Sequence, residues 1–72
     1  MNHSFVICIK NDEFPVSLEK RKLYQVILDV EAEIHNQYRI IDESGEDYLY
    51  PREYFVEADL SDSTEQAVIE AA

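Results

Sequence analysis

Carboxylates and tyrosines make up most of the chemically active side chains in this sequence. Four carboxylates surround the only glycine in the segment Asp42-Glu43-Ser44-Gly45-Glu46-Asp47. Oxygen-rich loops of this kind bind calcium when aspartates alternate before the glycine and a glutamate follows it six positions later. The segment lacks that spacing. It therefore predicts a solvated hairpin turn in which Gly45 takes a positive φ angle.

Nucleophilic and metal chemistry have little support. Cys8 is the only cysteine, it lies between two isoleucines, and the only histidines are His3 and His35. Catalysis of this type needs a nucleophile, a base and an orienting group within mutual reach. The histidines follow no metal-ligand spacing. We expect a buried structural Cys8, surface histidines, no enzymatic activity, and no cofactor or metal.

The charge balance restricts the class of partner. Sixteen acidic side chains oppose six basic ones, which gives a net charge of -10. Such a field repels nucleic acid and anionic lipid, and it favours partners with a basic surface. The basic run Lys20-Arg21-Lys22 is predicted to be a solvated turn. No apolar run approaches the roughly 20 residues that span a bilayer, so we expect a cytoplasmic protein.

Five tyrosines form the second distinctive group, at positions 24, 38, 48, 50 and 54. Side chains alternate along a strand, so an inward Leu49 would place Tyr48 and Tyr50 on the outer surface. Together with Tyr54 they would form an aromatic-acidic patch that suits a basic partner. The predicted binding residues are Tyr48, Tyr50, Tyr54, Pro51, Glu46, Asp47 and Glu53. The alternative, that these rings pack in the core, stays open.

Hydrophobic alternation and turn residues position these groups on five predicted strands, over residues 4–10, 22–30, 38–42, 47–50 and 55–58. Pro51 ends the fourth strand because it has no N–H for a ladder. Residues 52–54 suit one 3₁₀ turn. Residues 29–37 are interpreted as a loop that includes at most one helical turn. Apolar side chains are expected to pin the loop over residues 11–21, namely Phe14, Val16 and Leu18.

The last fourteen residues differ in character from the rest of the chain. Asp62 followed three residues later by Glu65 fits a capping box at the start of a helix. A helix this short holds only if it docks, here through Val68 and Ile69. Two interpretations of residues 59–72 stay open, a docked short helix and a frayed acidic end.

The closing segment Tyr48-Leu49-Tyr50-Pro51-Arg52-Glu53-Tyr54-Phe55-Val56 resembles that of SH3 domains, in which a proline and a tyrosine three residues later bound the 3₁₀ turn. The segments 18–27 and 38–45 are similar to small bacterial and phage SH3-like proteins. The resemblance covers residues 4–58 and implies an all-β, five-stranded SH3-like barrel. In such domains the groove also uses a tryptophan, and this chain has none. Polyproline recognition is therefore not expected.

These features predict a single domain with a small core. The leading hypothesis is a non-catalytic protein-binding module or accessory subunit that docks a basic protein surface through the aromatic-acidic patch. The alternative is a regulatory protein that self-associates through its strand edges or through residues 59–72. We expect a monomer or a weak homodimer, with nucleic acid the least favoured partner.

Overall fold

The computed structural model describes residues 5–71, which form a five-stranded antiparallel sheet with two short helices. A long loop joins the first two strands, and the other connections are short. A nine-residue C-terminal helix makes the predicted all-β class too narrow. The elements are β1 (Phe5–Cys8), β2 (Leu23–Ile27), α1 (Val30–Ile34), β3 (Gln37–Ile41), β4 (Asp47–Pro51), a 3₁₀ turn (Arg52–Tyr54), β5 (Phe55–Glu57) and α2 (Asp62–Glu70).

The strand order is β4-β3-β2-β1-β5, and no ladder joins β4 to β5. The sheet is therefore open, and the predicted closure into a barrel is not seen in the strand pairing. β2 takes part in two ladders. Its first half pairs with β1, where Tyr24 lies opposite Val6, and its second half pairs with β3, where Val26 lies opposite Ile40. A strand that passes from one ladder to another makes a corner in a sheet.

The core lies on the face of the sheet that carries Val6, Cys8 and Ile40. All three side chains are at most 1% exposed. The expectation of a buried Cys8 is confirmed. Aromatic rings complete this cluster, because a sheet this small needs large side chains to fill its interior. The buried cluster consists of Val6, Cys8, Leu18, Tyr24, Ile40, Tyr50, Tyr54 and Phe55.

The segment between β2 and β3 differs from the prediction, because β2 is shorter than predicted and α1 occupies five residues. β2 ends at Ile27 rather than at residue 30, because Asp29 caps α1 by accepting a hydrogen bond from the Ala32 N–H at 3.1 Å. The helical turn within residues 29–37 is confirmed. Asn36 follows it with a φ of 57°, a left-handed conformation that asparagine tolerates better than most residues.

The loop over residues 11–21 is held by two of its three predicted anchors. The Leu18 N–H donates to the Phe14 carbonyl at 2.9 Å, which forms one helix-like turn. Residues four apart in such a turn share a face. Leu18 is accordingly buried and Phe14 half-buried, whereas Val16 is 89% exposed, so the prediction for Val16 is wrong.

The two predicted turns around β4 are confirmed. Gly45 has a φ of 85°, and the 3₁₀ turn spans Arg52–Tyr54, directly after Pro51. The Phe55 N–H closes this turn by donating to the Arg52 carbonyl. Both features follow from residues that restrict the backbone locally, a glycine in one case and a proline in the other.

The C-terminal segment forms a helix rather than a frayed end. Its N-cap is Ser61, whose Oγ accepts from the Thr64 N–H at 3.2 Å, so the predicted cap at Asp62 is wrong by one residue. Val68 lines a cleft beside the outer face of β2, whereas Ile69 is 47% exposed. The helix thus lies beside the sheet at Val68, one of its two predicted anchors, and none of its residues is buried. Across residues 5–71, no helix combines the length and apolar character needed to cross a membrane.

The position of Ile40 in the core leads to a direct test of the fold. Ile40→Ala removes a side chain with no exposed surface, and we expect the free energy of unfolding to fall by about 2–5 kcal/mol. Ile27→Ala is the matched control, because Ile27 is 38% exposed in the neighbouring strand. Its expected loss is no more than about 1 kcal/mol. Urea unfolding followed by circular dichroism measures both, and equal losses would contradict this core assignment.

Candidate functional site

The three tyrosines of the predicted binding patch do not share one surface. Tyr48 is 51% exposed, but Tyr50 and Tyr54 are 3% and 4% exposed. The outer placement of Tyr48 and Tyr50 required an inward Leu49, whereas Leu49 is 42% exposed and points away from the core, so the alternative of core packing holds for Tyr50 and Tyr54. Alternation then turns Tyr48 and Tyr50 toward the core side, where Tyr50 is covered and Tyr48 extends past the covered region. The prediction that Tyr50 lies on the outer surface is wrong.

Phe14 is the residue that covers the buried tyrosines. Its ring meets Tyr50 edge-on with centroids 4.9 Å apart, and it lies 5.9 Å from the ring of Tyr54. Lys10 lies over the other side of Tyr54, with Nζ 5.5 Å from the ring centroid. Tyr54 is therefore part of the core, and its replacement by alanine is expected to destabilise the domain instead of removing only a binding contact.

The remaining predicted site residues fall into two further places. Asp47 is on the face opposite Tyr48, where its carboxylate accepts from Arg39 at 3.0 Å. Pro51 and Glu53 line a different cleft of about 400 Å³ together with Asn36 and Arg52. The seven predicted residues thus occupy separate surfaces.

One groove retains the predicted combination of an exposed aromatic ring and a carboxylate. We call it the Tyr48 groove. The Tyr48 hydroxyl donates to the Glu46 carboxylate at 3.2 Å beside it. Because Tyr48 is 51% exposed, the groove offers aromatic surface to solvent, and Leu49, whose side chain lies on the other face of β4, borders it. It has a volume of about 380 Å³ and is lined by Phe14, Ser17, Asp42, Ser44, Tyr48, Leu49 and Tyr50.

Asp42 is a buried carboxylate at the base of this groove, 6% exposed. Its two oxygens accept hydrogen bonds from the Tyr50 hydroxyl at 2.5 Å and from the Ser44 N–H at 2.9 Å. Burial alone would raise the pKa of Asp42, but the hydrogen bonds from Ser44 and Tyr50 outweigh it and hold the pKa below its ordinary value of 3.8. The carboxylate is therefore ionised at neutral pH and fixes the groove wall.

Glu43 forms a second, parallel arrangement next to Asp42. Its Oε2 accepts from the Tyr24 hydroxyl at 2.5 Å and from Lys22 Nζ at 2.6 Å. The hydrogen bond from Lys22 has the larger effect and the one from Tyr24 the smaller, and both lower the pKa of Glu43. The Glu43 N–H donates to the Ser17 carbonyl at 3.0 Å, which attaches the long loop to the turn. Both acids at the start of the hairpin turn are engaged in structural contacts.

Tyrosine ionisation responds to the same two arrangements. Burial, which has the larger effect, and the hydrogen bond to Asp42 together raise the pKa of Tyr50 to about 12. Burial and the Glu43 carboxylate raise the pKa of Tyr24 as well. Both phenols stay protonated, and each donates a hydrogen bond to a carboxylate that stays ionised. The arrangement holds structure, since neither group is poised to exchange a proton near neutral pH.

Metal-ligating residues are dispersed in the described part of the chain. Between residues 5 and 71, no three His, Cys, Asp or Glu side chains come together in a way that fits a metal ion. His35 is exposed at the end of α1, and His3 lies outside the described residues. The four carboxylates around Gly45 point to different partners, since Asp47 contacts Arg39 while Glu46 contacts Tyr48.

Comparison with protein-family models, with curated proteins and with solved structures finds no match. Sequence reasoning placed Tyr48 and Glu46 correctly side by side, but it missed Ser17 and the buried role of Asp42. The signal for Asp42 was the serine two positions later, since this spacing is typical of aspartates that bond the backbone of a turn.

The buried Asp42 makes the stability sensitive to acid. Its native pKa is lowered, so the unfolded chain binds the proton first as pH falls, and stability present at neutral pH is lost through the native pKa. In Asp42→Asn we expect a lower free energy of unfolding at pH 7 and a smaller further loss between about pH 5 and pH 2. Urea unfolding across pH measures this. Asp59→Asn, at an exposed position, is the control.

The raised pKa of Tyr50 predicts the opposite dependence in alkali. Between pH 10 and about 12 the unfolded tyrosine ionises while the native one keeps its proton. Unfolding then releases a proton, so stability falls as pH rises through this range. Tyr50→Phe should remove part of this decline while costing about 1–3 kcal/mol at neutral pH, because Asp42 loses a donor. An unchanged alkaline slope would contradict the assignment.

Proposed function

We propose that this chain is a non-catalytic protein-binding module that docks a basic protein surface through the Tyr48 groove. The observation that carries the proposal is the exposed Tyr48 ring, with the Glu46 carboxylate bonded to the Tyr48 hydroxyl. A half-exposed aromatic ring is typical of protein contact sites. The carboxylate adds attraction for a partner lysine or arginine beside that ring.

The distribution of the basic residues supports a basic partner. Four of the six have acidic or aromatic neighbours within the chain. Lys22 forms an ion pair with Glu43, and Arg39 forms one with Asp29. Lys10 and Arg52 lie 5.5 and 5.3 Å from tyrosine ring centroids. These contacts use the positive charges internally, so the field that a partner meets is dominated by carboxylates.

The same proposal includes the fold relationship. We infer an SH3-like barrel whose last ladder is left open. The strand order β4-β3-β2-β1-β5, the division of β2 between two ladders and the 3₁₀ turn at Arg52–Tyr54 support it. In this arrangement Pro51 and Tyr54 hold the turn together, and the exposed Tyr48 and Leu49 provide the contact surface.

Self-association is the competing function, and the charge argues against it. Two copies of a chain with a net charge of -10 repel each other at low and moderate salt. Sedimentation over a range of concentrations separates the two proposals, since a docking module stays monomeric without its partner.

A variant at Tyr48 tests the proposed docking. Tyr48→Ala removes an exposed ring outside the buried cluster, so we expect a folded protein that retains its basic partners at least about tenfold more weakly. Val56→Ala is the matched control, because Val56 is 46% exposed on β5. Immobilised proteins are exposed to an extract of the source cells, and retained proteins are quantified by mass spectrometry. Equal retention by both variants, or retention of acidic proteins only, would count against the proposal.

A further inference from the structure

β4 lies at the edge of the sheet and pairs on one side only, with β3. An edge strand presents backbone N–H and C=O groups that a further strand can bind. The long loop contacts β4 on its core face through Phe14 and Tyr50, and within residues 5–71 no strand other than β3 pairs with β4. The position of β4 raises the question of which of its backbone groups point outward.

Two hydrogen bonds beyond the ends of the ladder answer that question. The Asp42 N–H donates to the Glu46 carbonyl at 3.1 Å, and the Arg52 N–H donates to the Asn36 carbonyl at 3.0 Å. Both pairs continue the register of the β3–β4 ladder at its two ends. Hydrogen-bonded and non-hydrogen-bonded pairs alternate along an antiparallel ladder. The hydrogen-bonded positions within β4 are therefore Tyr48 and Tyr50.

The pattern places Tyr50 with Tyr48 among the residues that bond β3, whereas Asp47, Leu49 and Pro51 direct their backbone groups toward the open edge. Leu49, in the middle, presents both its N–H and its C=O. In the part of the chain that the structure describes, the only strand residue opposite Leu49 is Arg39, in a non-hydrogen-bonded pair. The centre of the edge is thus ready to bond an added strand.

The other edge of the sheet is less suited to strand addition. β5 has three residues, and its Phe55 N–H is already used by the Arg52 carbonyl. Short edge strands with occupied donors resist pairing. β4 is therefore the better template.

A second copy of this chain fits the β4 edge poorly. An antiparallel pair centred on Leu49 would place Asp47 opposite Pro51 of the other copy, and proline has no N–H to donate. Each of the two outer pairs would keep the bond from the Asp47 N–H to the Pro51 carbonyl but lose its second hydrogen bond, and two chains with a net charge of -10 repel each other. The occupant that fits is an extended segment with positive charge.

The side chains beside the edge define the pattern of that segment. A residue that exchanges hydrogen bonds with Leu49 has its side chain on the same face as Leu49, which is 42% exposed and aliphatic. Its neighbours point to the other face, toward Tyr48 and the Glu46 carboxylate. An aliphatic residue therefore fits opposite Leu49, and basic residues fit on either side of it.

We propose that the open edge of β4 binds an extended partner segment of alternating basic and aliphatic residues as an added strand, bonded through the N–H and C=O of Leu49. The proposal rests on the proposed docking at the Tyr48 groove and specifies the ligand of that surface. Backbone hydrogen bonds provide affinity in this mode, and alternate side chains provide selectivity.

A proline substitution tests the edge without breaking the sheet. Leu49→Pro removes an N–H that faces outward and contributes no bond to β3, so the variant is expected to fold. Its matched control is Leu49→Ala, which keeps the N–H. The probe is a short synthetic peptide of alternating lysine and valine, titrated by calorimetry and by amide NMR spectra. We expect at least about tenfold weaker binding by Leu49→Pro and only a few-fold change for Leu49→Ala.

Methylated peptides give a second readout on the unaltered protein. In the proposed register the valine amides face β4 and the lysine amides face solvent. N-methylation at valine should abolish binding, and N-methylation at lysine should leave it nearly unchanged. This pair of peptides tests strand addition at β4 even if Leu49→Pro does not fold.

The outcomes separate strand addition from docking. Loss of binding in Tyr48→Ala, with no effect of Leu49→Pro or of methylation at valine, overturns strand addition and leaves groove docking in place. Loss of binding in Leu49→Pro and after methylation at valine, with no effect of Tyr48→Ala, supports strand addition and counts against a role for Tyr48. The opposite methylation pattern, or no peptide binding by the unaltered protein at millimolar concentration, overturns the proposal.

Discussion

The hydrogen bond from Tyr50 to the buried carboxylate of Asp42 is the contact on which the surrounding structure depends. A buried charge is tolerated only when its oxygens are satisfied, so the position of each donor is constrained. Next to it, Glu43 accepts from Tyr24 on β2, and the Glu43 N–H donates to the Ser17 carbonyl in the long loop. Two adjacent acids at the end of β3 thus connect three strands and the loop.

Carboxylates of this acidic chain take part in the core through bonds from phenols. Asp42 is itself buried, whereas Glu43 is exposed and accepts from the buried Tyr24. The net contribution of each bond is modest because water is displaced. On the opposite face, Arg39 joins Asp29 at the start of α1 to Asp47 on β4. Exposed pairs of this kind contribute little stability, but they orient the helix over the sheet.

The sequence allowed prediction of those features that neighbouring residues determine. Gly45 and Pro51 restrict their own backbone, so the hairpin turn and the 3₁₀ turn were predicted at the right positions. The orientation of β4 was not, because it depends on Phe14, which contacts Tyr50 from a distant loop. Contacts of this kind, between segments far apart in the sequence, decide whether Leu49 faces inward or outward. Of the seven predicted residues, only the Tyr48 and Glu46 pair therefore keeps the predicted exposed arrangement.

The strand order also affects how the chain reaches its fold. β2, β3 and β4 follow one another along the chain and pair as neighbours, whereas Val6 on β1 must find Glu57 on β5, near the opposite end of the chain. Closing a long loop costs entropy before its contacts form, and pairings between distant segments slow folding. The β2–β4 meander can form from local contacts alone. The time that the chain needs to fold is thus set mainly by the meeting of its first and last strands.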